Sequence, residues 1–378
     1  MRVLHVITGL STGGAEAMLL KLLERMDRQH YTPMVISLTS HGDIGPRIAA
    51  LGIPVRALGM TSMLSILPGL RNLVREISQF RPDIVHTWLY HADLLGGMAA
   101  RLAGVRAVCW GIRSSNLDRD KTHWATRAVR QICAWLSHAI PQRIFLNSET
   151  ACRIHVALGY AAHKMTVVPN GFDLSRFRPD EGARARLRAA LGCAADTPLV
   201  GMVARHDPLK NHAGLIAAMI GVRQSMPQVH LIMAGAGVDE NNGALMRCIE
   251  QAGLSGCVHL LGARDDVPEL MAALDVLACP SHAEAFPNVV GEAMAAGVPS
   301  VVTDVGDCAY ILGDAGVVVP VGDMAALAAG LEAMLKLSPE QRVALGARAR
   351  ARVTDCFEIG RVVRRYEASY ESLGVSAR

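Results

Sequence analysis

Short apolar runs, many of them β-branched, recur along the chain at residues 3–7, 34–38, 55–58, 84–86, 107–110 and 143–146, with helical patterns such as 15–26 and 67–77 between them. A strand pattern followed by a helical one, repeated, predicts βαβ units in a parallel sheet covered on both faces. The rhythm breaks over 173–188, where Pro179 and a run of charges intervene, and restarts at 199–203, 229–233, 258–261, 276–278 and 299–302. The pattern predicts an α/β protein with two Rossmann-like, doubly wound parallel sheets, over residues 1–175 and 195–355. The stretch 339–373 is helical and rich in arginine. No short-period repeat accompanies it.

An open parallel sheet binds ligands beyond the carboxyl ends of its strands. In the first half those ends carry Gly13 and Gly14, then His86 and His91, then 111–116, then Asn147 and Ser148. In the second half they carry Arg205, the glycines of Gly235-Ala236-Gly237, 262–266, 281–292 and 305–309. Gly13-Gly14 opens a helix, where backbone can approach a phosphate closely. Ser11 stands where a dinucleotide fingerprint needs glycine, and Gly235-Ala236-Gly237 lacks both the third glycine and the later acidic residue. Nicotinamide chemistry is therefore not expected.

The densest chemistry lies in Glu284-Ala285-Phe286-Pro287-Asn288-Val289-Val290-Gly291-Glu292. Pro287 suits the first position of a helix, so amides around residues 286–289 should face an anion beyond the helix tip. Eight residues at about 100° each would leave the two carboxylates roughly 80° apart on one helix. Glu284 therefore belongs in the loop and Glu292 about one turn inside, acting on different parts of one ligand.

The spacing of those glutamates, with Phe286-Pro287 inside it and Ala293-Met294-Ala295-Ala296-Gly297-Val298-Pro299 after it, resembles the donor-site signature of retaining glycosyltransferases of family 4. Gly13-Gly14-Ala15-Glu16, Pro169-Asn170-Gly171-Phe172-Asp173 with Phe177 and Pro179, and Arg205 with Lys210 fit the same family in order and spacing. The resemblance spans nearly the whole chain. It implies the GT-B fold, with two Rossmann-like domains facing a central cleft and a last helix, about 357–378, packing back on the first domain. It also implies site roles. Arg205 and Lys210 would hold the diphosphate of a UDP- or GDP-sugar, Glu284 a hydroxyl of the transferred sugar, Glu292 the ribose, and Gly262 with Arg264 the base through backbone. Gly13, Gly14, Phe286, Pro287, Asn288 and Val289 would complete the donor site. Many relatives carry two histidines two apart after the fourth strand, whereas here Trp88 follows His86 at that distance. His91 is accordingly the expected catalytic histidine, with His86 in reserve.

Composition narrows the remaining choices. With 378 residues and 51% apolar content, the chain can fill two cores. No run approaches the roughly 18 apolar residues of a membrane span, and the amino terminus reads as a strand, so a cytoplasmic protein is expected. Nine scattered cysteines, without a Cys-x-x-Cys pair, read as reduced and mostly buried thiols. Residues 1–175 carry a net +8 and residues 176–378 a net −4. The basic half would suit an anionic acceptor or the inner membrane face, as would 119–143, where Lys121, Trp124, Arg127, Arg130 and Trp135 lie among apolar residues. An aromatic content of 4%, unclustered with the cations, excludes a nucleic-acid surface. Asp118-Arg119-Asp120 has the Asp-x-Asp form of metal-dependent transferases, but Arg119 opposes a cation and the pair falls in the first half. Neither a metal nor a cofactor is expected.

The expected function is retaining transfer of a sugar from a UDP- or GDP-sugar to a polysaccharide or lipid-linked glycan. A nucleotide-sugar epimerase or hydrolase of the same fold would instead consume donor without acceptor. A non-catalytic nucleotide- or glycan-binding scaffold would keep the second-half signature and tolerate loss of His91 and Gly14.

Overall fold

The computed structural model describes residues 1–113 and 124–373. The chain forms two compact units: one is Met1–Gly171 together with the segment from Ile359 onward, and the other is Phe172–Glu358.

In the first unit β1 (Arg2–Ile7), β2 (Thr32–Ser37), β3 (Val55–Ala57), β4 (Ile84–Trp88), β5 (Val108–Ile112), β6 (Arg143–Leu146) and β7 (Met165–Val167) lie in the order β3-β2-β1-β4-β5-β6-β7. All neighbours are parallel. The central strands are buried from end to end, as strands between two helical layers must be. One face packs Leu4, Val6 and Ile36 against Leu73, Ile77 and Ala99. The other packs Val3, Ile7 and Val35 against Leu19 and Leu22 of helix Gly14–Arg25. That layer is completed by the last helix, Ile359–Glu371, through Val362, Val363, Tyr366 and Tyr370.

In the second unit β8 (Leu199–Val203), β9 (His230–Ala234), β10 (Val258–Leu260), β11 (Val276–Cys279), β12 (Ser300–Thr303) and β13 (Gly316–Val319) form a parallel sheet in the order β10-β9-β8-β11-β12-β13. Strands β7 and β13 escape the sequence pattern. Both are edge strands of three or four residues, too short for periodicity to separate from loop or helix.

The unit boundaries also differ from 175, 195 and 355. Helix Glu181–Ala190 belongs to the second unit because Arg184 and Arg188 reach the two carboxylate oxygens of Asp275, at 2.6 and 2.7 Å, while Leu199 N–H donates to the same group at 2.8 Å. Arg188 and Asp275 are buried. Charges stay in such a place only when paired, and the partners lie nearly ninety positions apart in sequence.

Candidate active site

In the second sheet the chain leaves β8 toward β9 on one side, while β11 continues to β12 on the other, so the topological switch point lies between β8 and β11. Loops diverge there and open a crevice. After β8, Asp207 caps the short turn Pro208–Lys210 by accepting from Leu209 N–H at 2.9 Å, and Asn211, at φ 60°, caps helix His212–Ser225 through Gly214 N–H. After β11, His282 N–H donates to Leu209 O at 2.8 Å and joins the two loops. Across this junction Lys210 Nζ lies 2.5 Å from Glu284 Oε1. Ser281 Oγ donates to the same oxygen at 2.7 Å, and Thr303 Oγ1 holds the Ser281 carbonyl at 2.6 Å. The structure therefore joins a cation and a carboxylate that are 74 positions apart in sequence.

Glu284 lies in the loop, and Glu292 is the fifth residue of helix Asn288–Ala295. The helix begins one residue later than the sequence suggested: Pro287 is its N-cap, with φ −72° and ψ 106°, rather than its first residue. Its amino end, the positive end of its dipole, follows directly on the Glu284 loop. Gly297 at φ 77° and then Pro299 terminate it. The Phe286 side chain is directed into the core, stacked at 6.2 Å on Phe172 and 5.8 Å from Phe357. Phe286 can thus serve a donor only through its backbone. Phe172, from the Pro-Asn-Gly-Phe motif, also explains Gly291, where a Cβ would come within 2.1 Å of the Phe172 ring.

Two further assignments change. Gly262, at φ 64°, donates its N–H to Val238 O at 2.8 Å and accepts from Gly235 N–H at 2.7 Å, so its amide is engaged within the fold rather than offered to a base. Arg264 is turned onto Asp266, with Nε 2.7 Å from Oδ1, and the surrounding stretch 263–265 is exposed. Arg205 is exposed beside Asp207, at 3.1 Å, and Lys210 alone of the two cations meets Glu284. Ser281 and Gly306 fall within the expected stretches 281–292 and 305–309 but had no role there, and Asp207 was not singled out; all three support these loops. Gly306, at φ 54°, lies so close that a Cβ would stand 2.4 Å from Glu284 O and 2.7 Å from Ala285 O.

In the first unit the switch point lies between β1 and β4. Gly13 is the N-cap of helix Gly14–Arg25, and a Cβ on it would meet the Glu16 carboxylate at 2.3 Å. Burial pushes the Glu16 carboxyl up from its ordinary value. The Glu16 carboxylate thus lies at the helix end where the sequence led one to expect a phosphate. After β4, Leu89 takes φ 75° and ψ 153°, a region that side chains rarely adopt, and starts helix Tyr90–Leu102. His91 is half-buried in its first turn, and burial lowers its imidazole pKa. His86 is unsuited to the reserve role. It is fully buried, its Nδ1 is 2.7 Å from Tyr370 Oη, and its ring lies 4.6 Å from Trp88 and 5.1 Å from Phe145.

The turn bearing His91 is held by Asp93, which sequence reasoning did not single out. Asp93 Oδ1 accepts from Thr87 Oγ1 at 2.5 Å and Gly111 N–H at 3.2 Å, while burial pushes its carboxyl up to about 7. Arg113, after β5, sits 4.7 Å over the Trp88 ring and donates to Asn170 Oδ1 at 2.8 Å and to Tyr366 Oη. Asp118, Arg119, Asp120 and Lys121 lie outside the described residues.

Residues 183–352 match the model of the glycosyl transferases group 1, and residues 12–176 match that of glycosyltransferase family 4. EpsF of Bacillus subtilis strain 168, whose name assigns it to the glycosyltransferases, is 31% identical over 80% of this chain and 79% of its own length. The chain belongs to the GT-B glycosyltransferases. A second relative, the Escherichia coli UDP-Gal:alpha-D-GlcNAc-diphosphoundecaprenol alpha-1,3-galactosyltransferase, is 25% identical over 81% of this chain and 80% of that one. The crystal structure of HepE from Anabaena in complex with UDP shares the fold, with a TM-score of 0.87 at 23% identity over 98% of this glycosyltransferase and all of that chain. Among the described residues no helix of this glycosyltransferase is long and apolar enough to cross a membrane.

Proposed function

We propose that this glycosyltransferase moves a sugar from a UDP-sugar, with retention and without a metal, to a polysaccharide or lipid-linked glycan. The observation that carries the reading is the Lys210–Glu284 pair at the switch point of the second sheet, beside the amino end of helix Asn288–Ala295. A leaving diphosphate gains negative charge during transfer, so Lys210, Arg205 and the helix dipole stabilise the transition state more than the ground state. Glu284, fixed by Ser281, accepts a hydroxyl of the transferred sugar, and Glu292 accepts the two ribose hydroxyls. His91, whose imidazole pKa burial lowers, is the histidine we assign to the acceptor or donor sugar. The leaving phosphate oxygen helps take the acceptor proton as the new bond forms on the same face, and the protein chiefly positions charge. A GDP-sugar is the alternative donor. The UDP complexes of HepE and the UDP-galactose specificity in the Escherichia coli relative's name support UDP.

The acceptor side is proposed to rest on the inner membrane face, at the apolar surface of helices Met63–Phe80 and Trp124–Leu136. Leu64 is 91% exposed and Trp135 is 70% exposed, with Met63, Leu67 and Trp124 also open. Aromatic and apolar tips of this kind enter the headgroup region. Sedimentation with anionic and with neutral vesicles tests this, and equal, negligible binding to both removes it. The donor reading is tested by thermal unfolding with UDP, GDP and ADP, followed by NMR of the product's anomeric centre. UDP should stabilise most and the configuration should be kept; inversion or indifference to all three nucleotides overturns the reading.

A further inference from the structure

Away from the donor loops, three metal-ligand side chains from three separate elements converge in the second unit. Cys193 follows helix Glu181–Ala190, where Gly192 at φ 65° closes the helix: Gly192 N–H donates to Ala189 O at 3.1 Å and Cys193 N–H to Arg188 O at 2.9 Å. That helix stop fixes the Cys193 backbone. His230 opens β9, and His259 is central in the edge strand β10. Val258 pairs with Leu231, so His259 aligns with Ile232, two residues beyond His230, and both imidazoles emerge on one face of the sheet.

His230 Nδ1 lies 3.4 Å from Cys193 Sγ and 2.9 Å from His259 Nε2, with the two rings stacked at 5.2 Å. A ring nitrogen has one lone pair or one proton, so it cannot form a good hydrogen bond with both neighbours at once. The Cys193 thiol has Leu191 O at 3.8 Å as another acceptor, whereas a single cation among the three engages every donor atom at once. Zinc–nitrogen bonds of about 2.0–2.1 Å and a zinc–sulfur bond of about 2.3 Å imply tetrahedral edges of about 3.3 Å between nitrogens and about 3.6 Å from nitrogen to sulfur. The two spacings from His230 Nδ1 are within a few tenths of an ångström of those edges, and all three donor atoms lie within 4.8 Å of one another. We propose that Cys193, His230 and His259 form a binding site for zinc or a similar soft divalent cation, with water as the fourth ligand.

The donor set suits that class of ion, since thiolate with imidazole selects zinc over magnesium or calcium. Binding expels the thiol proton, and the ion then ties the end of helix Glu181–Ala190 to the sheet. The donor loops follow the carboxyl ends of the strands, whereas His230 is the first residue of β9, so the ion acts on stability rather than on transfer.

Cobalt titration of the untagged, reduced, chelator-stripped full chain tests the site. One equivalent should bind with tetrahedral d–d bands and a sulfur-to-cobalt charge-transfer band, both displaced by zinc. Cys193→Ser should abolish the charge-transfer band, His230→Gln and His259→Gln should weaken binding at least tenfold, and Cys248→Ser should leave it unchanged. Circular dichroism in chelator confirms that each variant folds. Should one not fold, zinc protection of Cys193 from alkylation in the parent chain, read by mass spectrometry, decides instead. A band unaltered by Cys193→Ser, or alkylation of Cys193 unchanged by zinc, overturns the proposal.

Discussion

Replacing Lys210 with methionine removes the ammonium but keeps much of the apolar stem, while the Ser281 hydroxyl still donates to Glu284. The side chains of Lys210 and Glu284 are 24% and 11% exposed, so water replaces the lost partner poorly. Breaking a fully buried pair costs about 3–5 kcal/mol, and the residual exposure here lowers the expected loss to about 2 kcal/mol. Adding Glu284→Gln removes the carboxylate charge that Lys210 balanced while keeping an acceptor for Ser281, so the double variant should return to within about 1 kcal/mol of the parent. Donor binding should not return. A charge-assisted bond to the diphosphate is worth about 1.5–3 kcal/mol, so UDP affinity should fall tenfold or more in both variants. Urea unfolding with and without UDP separates the two effects. Recovery of UDP stabilisation together with folding stability in the double variant would refute the assignment of Lys210 to the diphosphate and leave the pair a purely structural one.

Glu292→Ala should weaken UDP binding by about 2 kcal/mol or more, read by calorimetry, because two ribose hydrogen bonds vanish; unchanged affinity would remove Glu292 from the site. Gly306→Ala forces a side chain against the Glu284 and Ala285 carbonyls in a left-handed conformation, and should cost about 2 kcal/mol in urea unfolding, with weaker UDP binding. Burial lowers the His5 pKa to about 3 and the His155 pKa to about 4, so the unfolded chain takes up protons first. Each therefore stabilises the fold fully above pH 6.5 and loses about 2 kcal/mol of that contribution by pH 5. Asp93, raised to about 7, gains its proton in the folded state first and works the other way over the same window, so Asp93→Asn should steepen the loss of stability on acidification; an unchanged slope would show that Asp93 is ionised in the fold. Transfer should persist in excess EDTA, and abolition with rescue by magnesium or manganese would overturn the metal-independent mechanism.

The two parallel sheets are legible in the residue pattern, because strands buried on both faces must be written as apolar runs, and runs such as 3–7 and 199–203 carry that requirement without help from neighbours. It also located Glu284 in a loop and Glu292 about one turn into a helix, since helical geometry fixes what eight residues can span. The remaining features depend on groups that meet only in the folded chain. Whether Phe286 and His86 face ligand or core depends on rings brought from far away in sequence: Phe172 and Phe357 for the first, Tyr370 and Phe145 for the second. The engagement of the Gly262 amide depends on Val238, and the ownership of helix Glu181–Ala190 on Asp275. Local propensity acts over a few residues and can be read along the chain. Burial and ion pairing are properties of groups that meet only once the chain has folded, and no spacing in the sequence encodes the distance between them.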